Sequence, residues 1–169
     1  MNPNIDEIIK SYVNQSNVLA QHQINSYNEY IEKILPSIIS NYFPIIIQFE
    51  NSKVSKISLD IINVTIGSPT TTENNGCSKL LTPEISRLRN YNYTSPIIVD
   101  FKSVVTIKDN DVRIDLKEKI INNIIIGYIP ILLKSNKCIL NNSIDNGECK
   151  YDLGGYSIIN GNEKVIISQ

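Results

Sequence analysis

Alanine is almost absent from this 169-residue chain: Ala20 is the only one, and tryptophan does not occur at all. Average domains are rich in alanine and leucine, whereas isoleucine here takes about a fifth of the positions and asparagine is heavily used. Isoleucine, asparagine and lysine share A+T-rich codons, so the skew points to an A+T-rich genome rather than to a special architecture. A basic excess is also lacking. Sixteen Lys and Arg against 17 Asp and Glu leave a formal charge of −1 and a pI near 5.8. That balance excludes a module that binds nucleic acid unaided through broad phosphate neutralisation, so any such contact must be local.

Cysteine is scarce and shows no motif. Cys77, Cys138 and Cys149 form an odd set without a Cys-x-x-Cys pair, and with the lone His22 they give no zinc-ligand spacing. They are expected to be reduced packing cysteines, as in a cytosolic or nuclear setting. No apolar run is long enough for a bilayer: residues 120–133 fall short of the roughly 18 to 20 that a span needs and include Asn122 and Asn123. That stretch reads as a buried strand pair. MNPNIDEIIK, at the start, carries acidic residues where a secretory signal would carry an apolar core, so neither export nor membrane attachment is expected. The glycosylation-type triplets at Asn63 and Asn92 are what an Asn-rich chain produces by chance.

Recognisable catalytic constellations are missing as well. There is no Ser/His/Asp order with a local signature, no Walker-type phosphate loop and no carboxylate spacing suited to a metal. Gly154-Gly155 reads as a tight turn, and Asp60 and Asp100 fall within strand patterns rather than forming a dyad.

What is present has a clear order. Asn4 can cap a short amphipathic helix with Ile5, Ile8, Ile9 and Tyr12 on one face. A longer helix spans about residues 19–41, where Ile24, Tyr27, Ile31, Ile34, Leu35 and Ile38 recur at steps of three and four, and Pro36 should kink or split it. Tyr27, Tyr30 and His22 are read as packing or surface residues of that helix. From Pro44 the period becomes that of strands: PIIIQF, then KISLDIINVTI. Residues 67–76 read as a polar loop, and Thr82-Pro83-Glu84 as a helix start, with Ile85 and Leu88 facing inward and Arg87 and Arg89 flanking them.

PIIVDFKSVVTI and VRIDL follow, joined by a turn at residues 109–111, and a further apolar run begins at Ile120. Near the end, two apolar runs flank Asn160-Gly161, the dipeptide that best accommodates positive φ at both centres of a two-residue hairpin. Helices first and strands after give an α+β fold with a mostly antiparallel sheet, in one domain. Arg87, Arg89, Lys134, Lys137 and Lys164 are the cations to inspect for phosphate contact, against the plainer role of surface pairing.

Four blocks carry a family resemblance: LAQHQINSYNEYI (residues 19–31), LTPEISRLRNYNYTSPIIVD (81–100), IGYIPILLKSNKCIL (126–140) and GECKYDLGGYSIINGNEKVIISQ (147–169). In that order the chain resembles the N-terminal part of the second-largest subunit of multisubunit DNA-directed RNA polymerases. The GEC-x-YD-x-GGY spacing is of the eukaryotic, archaeal and large-DNA-virus type. Lys150 stands where the family usually has proline after the cysteine.

The resemblance implies an incomplete protrusion domain, with residues 1–18 as an N-terminal helix and 19–169 as the protrusion, forming a wall of the DNA cleft near the RNA–DNA hybrid. It implies as partners the largest and the other polymerase subunits, the DNA template and the hybrid. It also implies nucleotidyl transfer with Mg2+ held by the largest subunit, so that no catalytic residue, metal or cofactor falls on this chain. Lys164 and Gln169 match positions after the Asn-Gly turn, which implies a place near nucleic acid or else support of the neighbouring fork; Arg87 and Arg89 match a helix in which they act as structural ties as much as DNA contacts. The family setting would be the nucleus, or the host cytoplasm, virion or viral factory for a large DNA virus; the A+T-rich composition, together with short loops, suggests such a virus or an A+T-rich protist. The competing expectation is a stand-alone protrusion-like module that binds transcription factors or polymerase subunits without catalysis.

Overall fold

α-Helices come first, and the strands that follow are interrupted by a further short α-helix. The computed structural model describes residues 5–13, 18–49, 54–73, 76–109, 112–142, 148–149 and 151–167. Helix α1 spans Ile5–Val13 and α2 spans Val18–Glu29; a π-helical turn, Tyr30–Ile34, then leads into α3, Leu35–Asn41. The π turn sits where Pro36, at the start of α3, withholds an N–H and crowds the carbonyl four residues back. Strands β1 (Ile45–Gln48), β2 (Val54–Ile66), β3 (Thr70–Thr72) and β4 (Ser78–Leu80) follow, then α4 (Pro83–Leu88), β5 (Thr94–Asp109), β6 (Val112–Pro130), β7 (Ser157–Ile159) and β8 (Asn162–Lys164). This is the expected α+β composition. No described helix is long and apolar enough to cross a membrane, which says nothing of a β-barrel.

Two units share the chain, each assembled from separated segments. The first comprises Met1–Tyr30, Ser68–Thr94 and Pro130–Gln169; the second comprises Ile31–Gly67 and Ser95–Ile129. The second is a four-stranded sheet in the order β1-β2-β5-β6. β1 and β2 are antiparallel, with Ile45 opposite Leu59, and so are β2 and β5, with Ile57 opposite Val105 and Val64 opposite Val99. Helix α3 packs on β2. Ile31, Leu35, Val99 and Phe101 are buried there, and the Phe43 ring lies 5.6 Å from that of Phe101. The two aspartates noted in the sequence serve this sheet: Asp60 accepts from the Ser58 hydroxyl at 3.1 Å, and Asp100 accepts from the Asn123 N–H at 2.8 Å. The latter bond holds Asn123 at a φ of 59° in the middle of β6.

In the first unit, Ala20 and Ile24 of α2 pack with Leu132 and, at the margin, Tyr27. Tyr93 is fully buried, as are Ile131, Leu133 and Ile158. Their backbones bond in series: Tyr93 N to Ile158 O, Ile131 N to Tyr93 O, and Leu133 N to Tyr156 O, all at 2.8 to 2.9 Å. The Tyr93 hydroxyl accepts from Ile139 N at 3.2 Å and lies 3.5 Å from the Cys138 sulfur. Removing it in Tyr93→Phe withdraws a partner from both and is expected to cost about 0.5–1.5 kcal/mol, read as a lower urea midpoint with an unchanged m-value.

Several local expectations are corrected. Residues 67–76 hold β3, which pairs with β4, so a hairpin stands where a loop was expected. In α4 the buried residues are Pro83 and Ser86, while Leu88 is exposed. A single turn of helix has a narrow inner face, and Ser86 occupies it by donating its hydroxyl to Thr82 O at 2.9 Å. The run after Ile120 is not a buried strand pair: Ile120, Ile121, Ile125, Ile126 and Tyr128 are exposed along β6, and burial begins only at Ile131. β6 lies at the edge of its sheet, where half of each strand's neighbours are missing. Of the cysteines, only Cys138 is a packing residue; Cys77 and Cys149 are exposed thiols. The Asn4 cap and Lys150 lie outside the described residues.

Burial pushes the hydroxyls of Tyr27, Tyr93 and Tyr156 above the ordinary tyrosine value of 10.0. For Tyr156 the hydrogen bond to Asp152 adds to the effect. The folded state therefore retains protons that the unfolded chain releases above pH 10, so stability should hold below that value and fall as pH rises past it. Circular dichroism across an alkaline titration checks this; stability that rises above pH 10 would contradict it.

Candidate nucleic-acid interface

Thr82 starts α4 in extended geometry (φ −92°, ψ 155°), and its hydroxyl accepts from Ile85 N at 3.3 Å. The helix lasts less than two turns and ends at Leu88 with Arg89 as its C-cap; Asn90, next in the chain, has a φ of 55°. The hairpin β7–β8 docks against that end. Its turn residues Asn160 and Gly161 have φ of 50° and 73°, the positive pair expected of a two-residue hairpin. Asn160 N donates to Asn92 Oδ1 at 2.7 Å, and Gly161 N donates to Tyr91 O at 3.2 Å.

Arg87 sits at the centre of this arrangement. Its Nε donates to Glu163 at 2.9 Å, Nη1 to Glu148 at 2.6 Å, and Nη2 to the Tyr156 hydroxyl at 2.8 Å. Its guanidinium carbon also lies 5.9 Å from the centre of the Tyr156 ring. Tyr156 in turn donates to Asp152. Burial works to lower the proton affinity of the guanidinium, but the bonds to Glu148 and Glu163, with Tyr156 alongside, outweigh it and hold Arg87 above its ordinary value. Arg87 stays charged, and that charge is answered inside the chain.

Other cations are placed differently. Arg89, just past α4, is exposed and lies 3.8 Å from Glu73, which also receives Lys79 at 3.1 Å. At the end of β8, Lys164 is exposed and opposite Ser157. The Lys134 ammonium donates to the carbonyl of Asp152, and Lys137 is exposed. Gln169 lies outside the described residues. The structure thus joins Arg87 to the strand that ends at Lys164 and leaves Arg89 on a separate pairing with Glu73.

Glu148, Asp152, Tyr156 and Glu163 were not singled out from the sequence. Glu148 and Asp152 belong to the GEC-x-YD block, and Glu163 follows the Asn-Gly turn, so all three carboxylates fall in segments without an arginine. Lys150 and Lys164 stand beside them in the sequence, so nothing local pointed to a distant arginine. Among the described residues no group of three or more His, Cys, Asp or Glu could hold a metal ion. These carboxylates are already engaged by Arg87 and Tyr156. The arrangement does not fit a magnesium site, and no reaction step is assigned to a metal on this chain.

Comparison with known proteins gives a consistent picture. The profile of the family described as RNA polymerase beta subunit matches residues 18–169. The DNA-directed RNA polymerase II subunit RPB2 of Schizosaccharomyces pombe is 32% identical over 96% of this chain and 15% of its own length. DNA-directed RNA polymerase II subunit 2 of Arabidopsis thaliana is 32% identical over the same shares. The archaeal DNA-directed RNA polymerase subunit Rpo2N of Methanocaldococcus jannaschii is 32% identical over 96% of this chain and 32% of its own length. The chain therefore spans about a seventh of the eukaryotic relatives and about a third of the archaeal one.

Proposed function

Since the chain belongs to the RNA polymerase beta subunit family and corresponds to the N-terminal region of the second-largest subunit, we propose that it forms a wall of the DNA cleft in an assembled DNA-directed RNA polymerase. The match across residues 18–169 carries this reading. Its contribution to template-directed nucleotidyl transfer is shape and local charge. The largest subunit and other polymerase subunits are its partners, and Mg2+ is held by the largest subunit. The polymerase II relatives support a nuclear place of action, and the A+T-rich composition supports a large DNA virus or an A+T-rich protist as the source.

Within the wall, Lys164 and Arg89 are the cations that face solvent from the hairpin and from α4. They are the residues proposed to lie near the template or the hybrid, together with Gln169 further along the chain. A few fixed charges on one face can guide a phosphate backbone even when the domain is neutral overall. Replacing Lys164 with a photo-reactive amino acid in an elongation complex tests the placement. Adducts to template or nascent RNA are expected; adducts to protein alone would overturn it.

A further inference from the structure

The geometry points to Arg87 as a positioning residue, one that sets the place of the Lys164 ammonium by fixing the β7–β8 hairpin on α4, rather than as a phosphate contact. This rests on the proposed placement of Lys164. Two independent parts of Arg87 touch the hairpin. Its guanidinium holds Glu163, the neighbour of Lys164, at 2.9 Å. Its carbonyl lies under the turn, where a Cβ added to Gly161 would meet it at 3.1 Å.

A guanidinium is a planar fork, and here each of its three nitrogens already has an acceptor: Glu163, Glu148 and Tyr156. Two N–H groups remain beyond these three bonds, but the two carboxylates outweigh the single positive charge and disfavour a phosphate beside it. Glu148 is the more enclosed partner, its side chain 15% exposed against 53% for Glu163. The enclosed end anchors the arginine, and the exposed end steers the strand.

Positioning and contact separate experimentally in a polymerase assembled with this chain. Each phosphate contact adds about 0.9 to the slope of log affinity against log salt on B-DNA. Lys164→Gln should lower the slope by about that amount and leave amide exchange in residues 158–164 unchanged. Arg87→Gln should leave the slope unchanged, raise exchange in those residues at least tenfold, and reduce crosslinking from position 164. Arg87→Lys should not rescue, because the donors of a single ammonium nitrogen cannot reach acceptors spread around a planar fork. Glu163→Gln keeps the fold with a milder change: it should raise exchange and lower crosslinking, although removing a negative charge near nucleic acid would by itself strengthen binding. A lower salt slope with unaltered exchange in Arg87→Gln would overturn the assignment, as would no change in exchange in either Arg87→Gln or Glu163→Gln. If Lys164→Gln alone leaves the slope intact, the placement of Lys164 fails while the exchange data still judge Arg87.

Discussion

Gly161→Ala is expected to destabilise the first unit by about 2–4 kcal/mol, from left-handed strain together with a clash that the surroundings cannot relax. The residue sits at φ 73°, and an added Cβ would lie 2.5 Å from Asn90 Oδ1 and 2.9 Å from Asn90 Cα. A side-chain oxygen can turn away; the backbone of Asn90 cannot, because it follows the C-cap of α4 in a left-handed conformation with a φ of 55°. Gly76 is the internal control. Its φ is 78°, but nothing lies within 4 Å of the place its Cβ would take, so Gly76→Ala should cost only the strain of about 1–2 kcal/mol. Urea unfolding of the two variants checks the difference. Equal losses would mean that the hairpin tip does not dock on the end of α4.

Gly155→Ala should cost a similar amount, about 2–4 kcal/mol by the same two mechanisms. Its φ is 80°, and an added Cβ would meet the Cβ of Ala20 at 2.9 Å. The chain's only alanine thus lies against a glycine, where α2 meets the segment before β7. Ala20→Leu should therefore cost about 1–3 kcal/mol by overpacking, with α2 itself unperturbed because leucine is a good helix former. The pair is testable as a unit. In Gly155→Ala with Ala20→Gly the steric part should be relieved, giving a coupling of about 1–2 kcal/mol in a double-mutant cycle. Additive losses would show that the two residues are not in contact.

Much of the fold was legible because it is encoded locally. Asn160-Gly161 announced its hairpin through the backbone freedom of those two residues, and Thr82 announced α4 through a side chain that satisfies a helix N–H three residues on. Pro36 marked the place where the long helix changes its winding. The hairpin in residues 67–80 was hidden because β3 and β4 are three residues each and polar, with no alternation to read. Exposure along β6 was hidden because the isoleucine-rich composition makes an edge strand look like a core one.

The candidate site was legible only in part. Arg87, Arg89 and Lys164 could be picked out as cations, but the partners of Arg87 lie 61, 69 and 76 residues away in the chain. No spacing rule spans such distances. Only the fold brings Glu148, Tyr156 and Glu163 to one guanidinium, and with them the distinction between a cation committed inside the chain and one that faces solvent.

The central claim, that this chain works as part of a DNA-directed RNA polymerase, is tested most directly by affinity purification of the tagged chain from its native source, followed by identification of what accompanies it and an assay of template-dependent RNA synthesis. The account predicts that the largest polymerase subunit is recovered with the chain in stoichiometric amount and that the recovered complex makes RNA, while the chain by itself does not. Recovery of the chain without the largest subunit, from cells whose polymerase is intact, would contradict it.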